Sequence, residues 1–567
     1  MRFNLFLKTA VFAAVAVSGF HVAASAQRPR QNFTRPQTFD VQHYIVRSKF
    51  DRTKRQVIGD TTVQLKPLRA GFREVMLDAT EMKFDSVALE QGVPLKYRTA
   101  GEKIYISLDR TYTTDDLVSI RLKYVATPTK GVYFVNEVRD GREILSPAQI
   151  WTQGEADETH HWIPSFDFPS DKSTTEQFLT ANRDETVISN GQFIGKTENA
   201  DGTATWHYKM SDPHPLYLLS FVIGKYAKAS DDYNGVPLGY YVYPGREEVV
   251  PRAFGRTKEM MAVFEKLTGV KYPFNKYDQT IVASFHFGGM ENITATTLSD
   301  TEVFAAGISE VGSGTEDLIS HELAHSWFGN LVTCKNWAEL WLNEGFATLM
   351  EAAFREKKYG RANYMVKILT DAQAFLVDDA VNRKRHGLFN QNAGNVDSLF
   401  ERAATTYNKG GVVLHTLREE IGDEAFWKAV NIYLTRYRFG SVESTDLQRV
   451  MEEASGRKLD WFFAQWVYGA GHPKLNIRQN YNAATKRLML TVNQIQKIDG
   501  ITPQAFRLPL EIEITTDAGE KVEKIVVGKR SETFNFNLDG IPTGVKIDDS
   551  DKIPLKTVKL APISISR

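Results

Sequence analysis

The spacing of apolar and polar positions changes character along the 567-residue chain. From His43 to about Ala229, short runs rich in β-branched and aromatic residues recur, among them 43-HYIVRSKF-50, 118-VSIRLKYV-125 and 215-PLYLLSFVIGKY-226. Polar turns with Gly, Asp or Pro separate them, which predicts an antiparallel β domain. Near residue 251 the period lengthens. Residues 252-RAFGRTKEMMAVFEKLTGV-270 place apolar side chains at helical spacing with Gly269 as the stop, and a strand is expected near 278–285. Two long helical patterns then cover roughly 314–329 and 338–358. In 444-STDLQRVMEEASG-456, Leu447, Val450, Met451 and Ala454 share one face; Ser444 or Thr445 is the expected cap and Gly456 the expected end. After 470-AGHPKL-475, strands return at 486–492, 507–514, 521–528 and 532–538, spaced as in a small β-sandwich. The pattern reads as multidomain α+β, with a β domain over 39–230, an α-rich block over 231–471 and a β-sandwich over 472–567.

The amino terminus stands apart from this pattern. Arg2 and Lys8 precede an apolar run beginning near Thr9, and Ala24-Ser25-Ala26 matches a small-residue cleavage site. Residues 1–26 are therefore expected to be a secretory signal peptide cut after Ala26, since the run falls short of the roughly 20 residues that span a bilayer. Polar, proline-bearing 27-QRPRQNFTRPQT-38 is expected to be an extended arm. The mature chain is then exported, to the periplasm or outside the cell. No later run of apolar residues is long enough to hold it in a membrane. Lys+Arg and Asp+Glu are each 69, so no basic excess points to a nucleic-acid partner. Cys334 is the single cysteine, which rules out an internal disulfide and a multi-thiolate metal site. Any metal must be held by His and carboxylate.

Such a set exists in 320-SHELAHSWFG-329. Positions i and i+4 of a helix share a face, so His321 and His325 present two imidazoles to one point. Glu322, one residue on, can reach a water held there without being a ligand. Two His and a Glu base in this spacing predict a Zn2+ site, one per chain. A catalytic zinc takes a third protein ligand. Phe328 and Leu331 occupy the positions where a metzincin has Gly and His, which excludes that branch. On the next helical pattern, 337-WAELWLNEGFATLME-351, Glu344 can be brought to the same point by antiparallel packing.

HELAHSWFGN followed by WLNEGFA resembles the M1 family of zinc aminopeptidases, the gluzincins that include aminopeptidase N and leukotriene A4 hydrolase. Further stretches match between about residues 40 and 475. The resemblance implies a β saddle, a thermolysin-like catalytic domain and a β-sandwich, and a peptide substrate with a free N-terminus. In 286-HFGGMENIT-294, Glu291 would bind the substrate amine, and Gly288 and Gly289 let peptide backbone approach beside Met290. In 152-TQGEADETHHWIPSFDFPSDK-172, Glu155 would be a second amine anchor and Gln153 would line the first pocket with Met290. His160 and His161 stand where the family usually has Arg, and are read as ordinary polar residues. Tyr407 in 405-TTYNKGG-411 would be the catalytic phenol, with Asn408 replacing the family's usual Glu.

The resemblance also implies a large helical domain after the catalytic one. Only about 95 residues follow Gly471, and they read as strands, so a more open site is expected. Competing readings are a thermolysin-type endopeptidase, an epoxide hydrolase and a non-catalytic peptide-binding protein. Carboxylates at 291 and 155 disfavour the first, which has no amine to hold. The complete set His321, Glu322, His325, Glu344 and Tyr407 disfavours the last.

Overall fold

The computed structural model describes residues 32–307 and 314–566; the expected signal peptide and residues 27–31 of the arm lie outside the described residues. Alternation builds the amino-terminal layer. Strand Phe39–Asp51 buries Phe39, Val41, Tyr44 and Val46, and its two-residue period slips once, at a bulge between Val41 and His43. It lies at the centre of a seven-stranded sheet. Its neighbours are Gln56–Pro67, antiparallel, and Ser173–Asn182, parallel, with His43 opposite Thr174. This corrects the expectation of a purely antiparallel domain. The long chain between the two strands supplies the crossover that a parallel pair requires.

A four-stranded sheet links this domain to the next. Its strand Gln149–Thr152 is wholly buried and runs directly into Gln153 and Glu155. The indole of Trp151 donates to the carbonyl of Ala283 at 3.2 Å. Asn190 Nδ2 donates to Ile293 O at 2.7 Å and to Leu218 O at 3.1 Å. The bonds to Ala283 and Ile293 fasten the β domain to the loop that carries Glu291.

The α-rich region is built on a five-stranded sheet, ordered Ala227–Tyr233, Val236–Val242, Tyr277–Val282, Ala295–Ser299, Gly289–Met290. The expected 230/231 boundary falls inside its first strand, which pairs with Val236–Val242 and so belongs to this sheet. Helix α1 (Thr257–Thr268) ends on Gly269 at φ 67°, the left-handed stop that its sequence predicts. Helix α2 (Gly314–Ala324) stops short of the predicted 329. There the chain turns so that His325 Nδ1 bonds Phe328 O at 2.8 Å and Asn330 N donates to His325 O at 3.0 Å. Helix α3 (Trp341–Tyr359) follows a turn capped by Asn336, whose side chain accepts from Ala338 N at 3.1 Å. Every residue of α3 from Trp341 to Arg355 is buried, as for a helix packed on all faces. Phe346 stacks on Phe328 with centroids 4.4 Å apart, joining α3 to the end of α2; each ring's burial contributes about 1.5–3 kcal/mol.

Helices α4 (Arg361–Val381), α5 (Gly410–Ile421) and α6 (Ser444–Ser455) complete the part of this layer used below. The α6 cap differs from expectation: Glu443 N donates to Asp446 Oδ2 at 3.0 Å, while Ser444 Oγ bonds Glu339 and accepts from Trp341 Nε1. Gly456 ends α6 in the left-handed region, as predicted. The carboxyl-terminal segment forms a four-stranded and a three-stranded sheet. Their buried residues, among them Ile477, Leu490, Leu510 and Ile512, join the same apolar core as the helices. Among the described residues no helix is long and apolar enough to cross a membrane.

Candidate active site

His325 N still bonds His321 O at 3.2 Å, so the i, i+4 relation holds to the last turn of α2 and the two imidazoles share a face. Glu344, in the first turn of α3, completes the group. Glu344 Oε2 lies 3.1 Å from His321 Nε2 and 3.3 Å from His325 Nε2. Two donors each about 2.0–2.1 Å from one tetrahedral centre stand about 3.3 Å apart. The far nitrogens are spoken for: His321 Nδ1 bonds Glu351 Oε1 at 2.8 Å, and His325 Nδ1 bonds the Phe328 carbonyl. With Nδ1 donating, each Nε2 can meet the Glu344 oxygen at this distance only through a shared positive charge, either a second ring proton or a metal cation. The donor set therefore fits a small divalent cation held by His321, His325 and Glu344, whose nitrogen and oxygen donors lie within 4.8 Å of one another.

More negative charge surrounds this point than these imidazoles can balance. Glu155, Glu291 and Glu322 are all buried here, and Glu155 Oε1, Glu291 Oε1 and Glu322 Oε2 have no hydrogen-bond partner. Burial, then the neighbouring Glu291 and Glu344 carboxylates, pushes Glu155 well above the usual range. Burial likewise raises Glu291, against the pull of His325. Glu322 is pushed up to about 8, by burial first. Burial works against ionisation of Glu344 too, but His325 and His321 outweigh it and hold the carboxyl at about 2. Unpaired buried carboxylates are costly, and this cluster is a receptor for positive charge.

These groups wall one cavity of about 530 Å3. All of the sequence-predicted site residues line it: Gln153 and Glu155 from the β domain; Gly288, Gly289, Met290 and Glu291 from the edge of the catalytic sheet; His321, Glu322 and His325; Glu344; and Tyr407. Gln153 Nε2 approaches Met290 Sδ at 3.2 Å, closing the floor. Gly289 leaves room for Glu322, because a Cβ there would lie 2.2 Å from Glu322 Oε1 and 2.4 Å from its Cδ. Tyr407 sits on a π-turn, Thr405–Lys409, and its ring stacks on His321 with centroids 5.9 Å apart and planes 18° off parallel. His160 and His161 stay out of the cavity: they bond Asp167 and Glu81 at 3.0 and 2.9 Å.

The sequence reading missed Glu351, which steadies His321. Its signal was present, since Glu351 lies seven residues after Glu344 and so on the same face of α3. It also missed Phe287 and Phe400, whose rings meet at 6.0 Å on the cavity rim.

The chain is similar to known proteins over much of its length. The family model described as the Peptidase family M1 domain matches residues 252–466, and that of the Peptidase M1 N-terminal domain matches residues 40–218. Aminopeptidase N of Streptomyces lividans is 32% identical over 336 residues, covering 57% of this chain and 38% of that protein. Probable aminopeptidase 1 of Saccharolobus solfataricus is 26% identical over 493 residues, covering 83% of this chain and 60% of that protein. Among solved structures, Legionella pneumophila aminopeptidase A in complex with aspartic acid superposes with a TM-score of 0.78 at 20% identity, over 93% of this chain and 60% of that one. The chain thus spans between about two fifths and three fifths of the length of these relatives.

Proposed function

The chain belongs to peptidase family M1, and from that membership we propose that it is a zinc-dependent aminopeptidase releasing the first residue of peptides with a free N-terminus. One observation carries the reading: the unpartnered carboxylate oxygens of Glu291 and Glu155 share a cavity with the His321–His325–Glu344 donor set. An α-ammonium group satisfies the first pair and a zinc ion the second. Their fixed separation places the first peptide bond, and no other, beside the metal.

Zinc on His321, His325 and Glu344 would supply the Lewis acid that polarises the scissile carbonyl and acidifies water. Glu322 takes the proton of the attacking water and returns it to the leaving nitrogen. Tyr407 donates its phenolic hydrogen to the developing oxyanion. Glu351 fixes the tautomer of His321, and the Phe328 carbonyl does so for His325. Gly289, on the edge strand of the sheet, leaves backbone groups open to an extended substrate. Gln153 and Met290 form an adaptable wall for the first side chain. We read the three parts of the chain as β saddle, thermolysin-like catalytic domain and β-sandwich. Residues 1–26 are read as a cleaved export signal, which places the mature enzyme in the periplasm or outside the cell.

The test is release of the N-terminal residue from an unblocked leucyl tetrapeptide by the purified mature chain. Activity is expected to vanish with a strong chelator and to return with one equivalent of zinc per chain. Activity that persists with no bound metal would remove the zinc reading, and cuts inside the peptide would favour an endopeptidase. Gly289→Ala gives a second check. The added methyl must displace Glu322, so kcat is expected to fall about 100-fold with zinc content unchanged, a loss of the size that a misplacement of about 1 Å brings. A variant with wild-type kcat would show that Glu322 is not needed where it stands.

A further inference from the structure

Asn408 stands where the family usually has Glu, and the structure gives this departure a partner. Asn408 Nδ2 donates to Asp371 Oδ1 at 2.8 Å. Asp371, on α4, is buried and receives Lys367 Nζ at 2.9 and 2.8 Å on its two oxygens. Lys367 Nζ also reaches Glu351 Oε2 at 2.8 Å, and Glu351 Oε1 holds His321 Nδ1. Tyr407 stacks on His321 and precedes Asn408 in the chain. The contacts close a ring: His321, Glu351, Lys367, Asp371, Asn408, Tyr407 and back to His321.

The charge count within this ring explains the amide. Lys367 is the one ammonium between two buried carboxylates, Glu351 and Asp371. Glu at position 408 would set a third carboxylate against Asp371 and would have no hydrogen to give it. Asn supplies the donor and adds no charge. The turn needs that donor, because a π-turn is a rare conformation that leans on tertiary support. Here the described side-chain anchors are Asn408 to Asp371 and Lys409 Nζ to Gly469 O at 3.0 Å.

We infer that Asp371 and Asn408 are matched positioning residues that hold Tyr407 against His321, and that Asn408 replaces the family's Glu because Asp371 faces it. This inference rests on the aminopeptidase reading above.

The experiment compares Asn408→Asp, Asp371→Asn, the double exchange and Asn408→Ala, each in the wild-type and Tyr407→Phe backgrounds. The readouts are kcat and KM on a leucyl substrate, zinc affinity by chelator competition, and Tm. Asn408→Asp is expected to lower kcat about 10–100-fold with KM and zinc affinity within about threefold of wild type, the loss that a misplaced catalytic group brings. The double exchange keeps one amide donor facing one carboxylate and is expected to recover kcat to within about threefold of wild type. Asn408→Ala removes the donor without adding charge; it is expected to lose about tenfold in kcat. In the Tyr407→Phe background these substitutions are expected to cost nothing further, since the group they position is gone. A double exchange as impaired as Asn408→Asp alone, or losses equal in the two backgrounds, would overturn the inference while leaving an active wild-type enzyme. A wild-type chain that releases no residue and binds no zinc would overturn it together with the reading beneath it.

Discussion

Glu322→Gln is expected to lower kcat by about 10²–10⁴-fold while the chain still binds one zinc, the range that general acid–base catalysis contributes. Glu322 is outside the His321–His325–Glu344 donor set, so its loss leaves the metal ligands in place. Gln has the same shape and fills the same space beside Gly289, so packing is preserved. What disappears is the ability to accept a proton. Because that transfer occurs only on the way to the transition state, kcat falls and KM stays nearly constant. His325→Ala makes the contrasting case, since it removes a donor nitrogen and zinc content falls with activity. Metal analysis beside initial rates separates the two. A Glu322→Gln enzyme retaining more than a tenth of wild-type kcat would mean that another group takes the proton.

The His321–His325–Glu344 donor set was legible in the sequence because its parts are short-range. The spacing of His321 and His325 on one helix fixes the direction of both rings, and Glu344 begins the very next helix. Tyr407 was reached by resemblance alone, since nothing in 22 tyrosines marks one of them. The parallel pairing of Phe39–Asp51 with Ser173–Asn182 left no sign, because alternation records which face a residue takes and not which strand lies beside it. The ring through Lys367 and Asp371 was hidden for a different reason. An i, i+4 Lys–Asp pair on a helix is the ordinary mark of a solvated face, yet here both side chains are buried behind the metal ligands. Ser444 shows the same failure at a smaller scale: its hydroxyl was expected to cap α6 and instead bonds Glu339 on a distant turn.

Acetylating the substrate amine is expected to cut cleavage by at least about 10²-fold in kcat/KM. Glu291 is only 3% exposed and Glu155 7%, and each has an oxygen with no hydrogen-bond partner. A free ammonium fills that place with charge and hydrogens. An acetamide brings one hydrogen, no charge and extra bulk, and leaves two carboxylates desolvated and unpaired. Breaking a buried ion pair in this way costs about 3–5 kcal/mol, which is about 10²·²–10³·⁷-fold at 1.36 kcal/mol per decade, before any clash. Glu291→Gln should show the same energy from the protein's side. Activity on the free amine is expected to fall about 10²-fold or more, and the gap between free and acetylated substrates should narrow. Folding stability should stay equal or rise, because one buried charge without a partner has been removed. Loss of activity together with a gain in Tm is what an amine receptor predicts and what a structural glutamate does not. Equal cutting of the free and acetylated peptides by the wild-type chain would show instead that the buried carboxylates bind no ammonium, and the exopeptidase reading would fall with them.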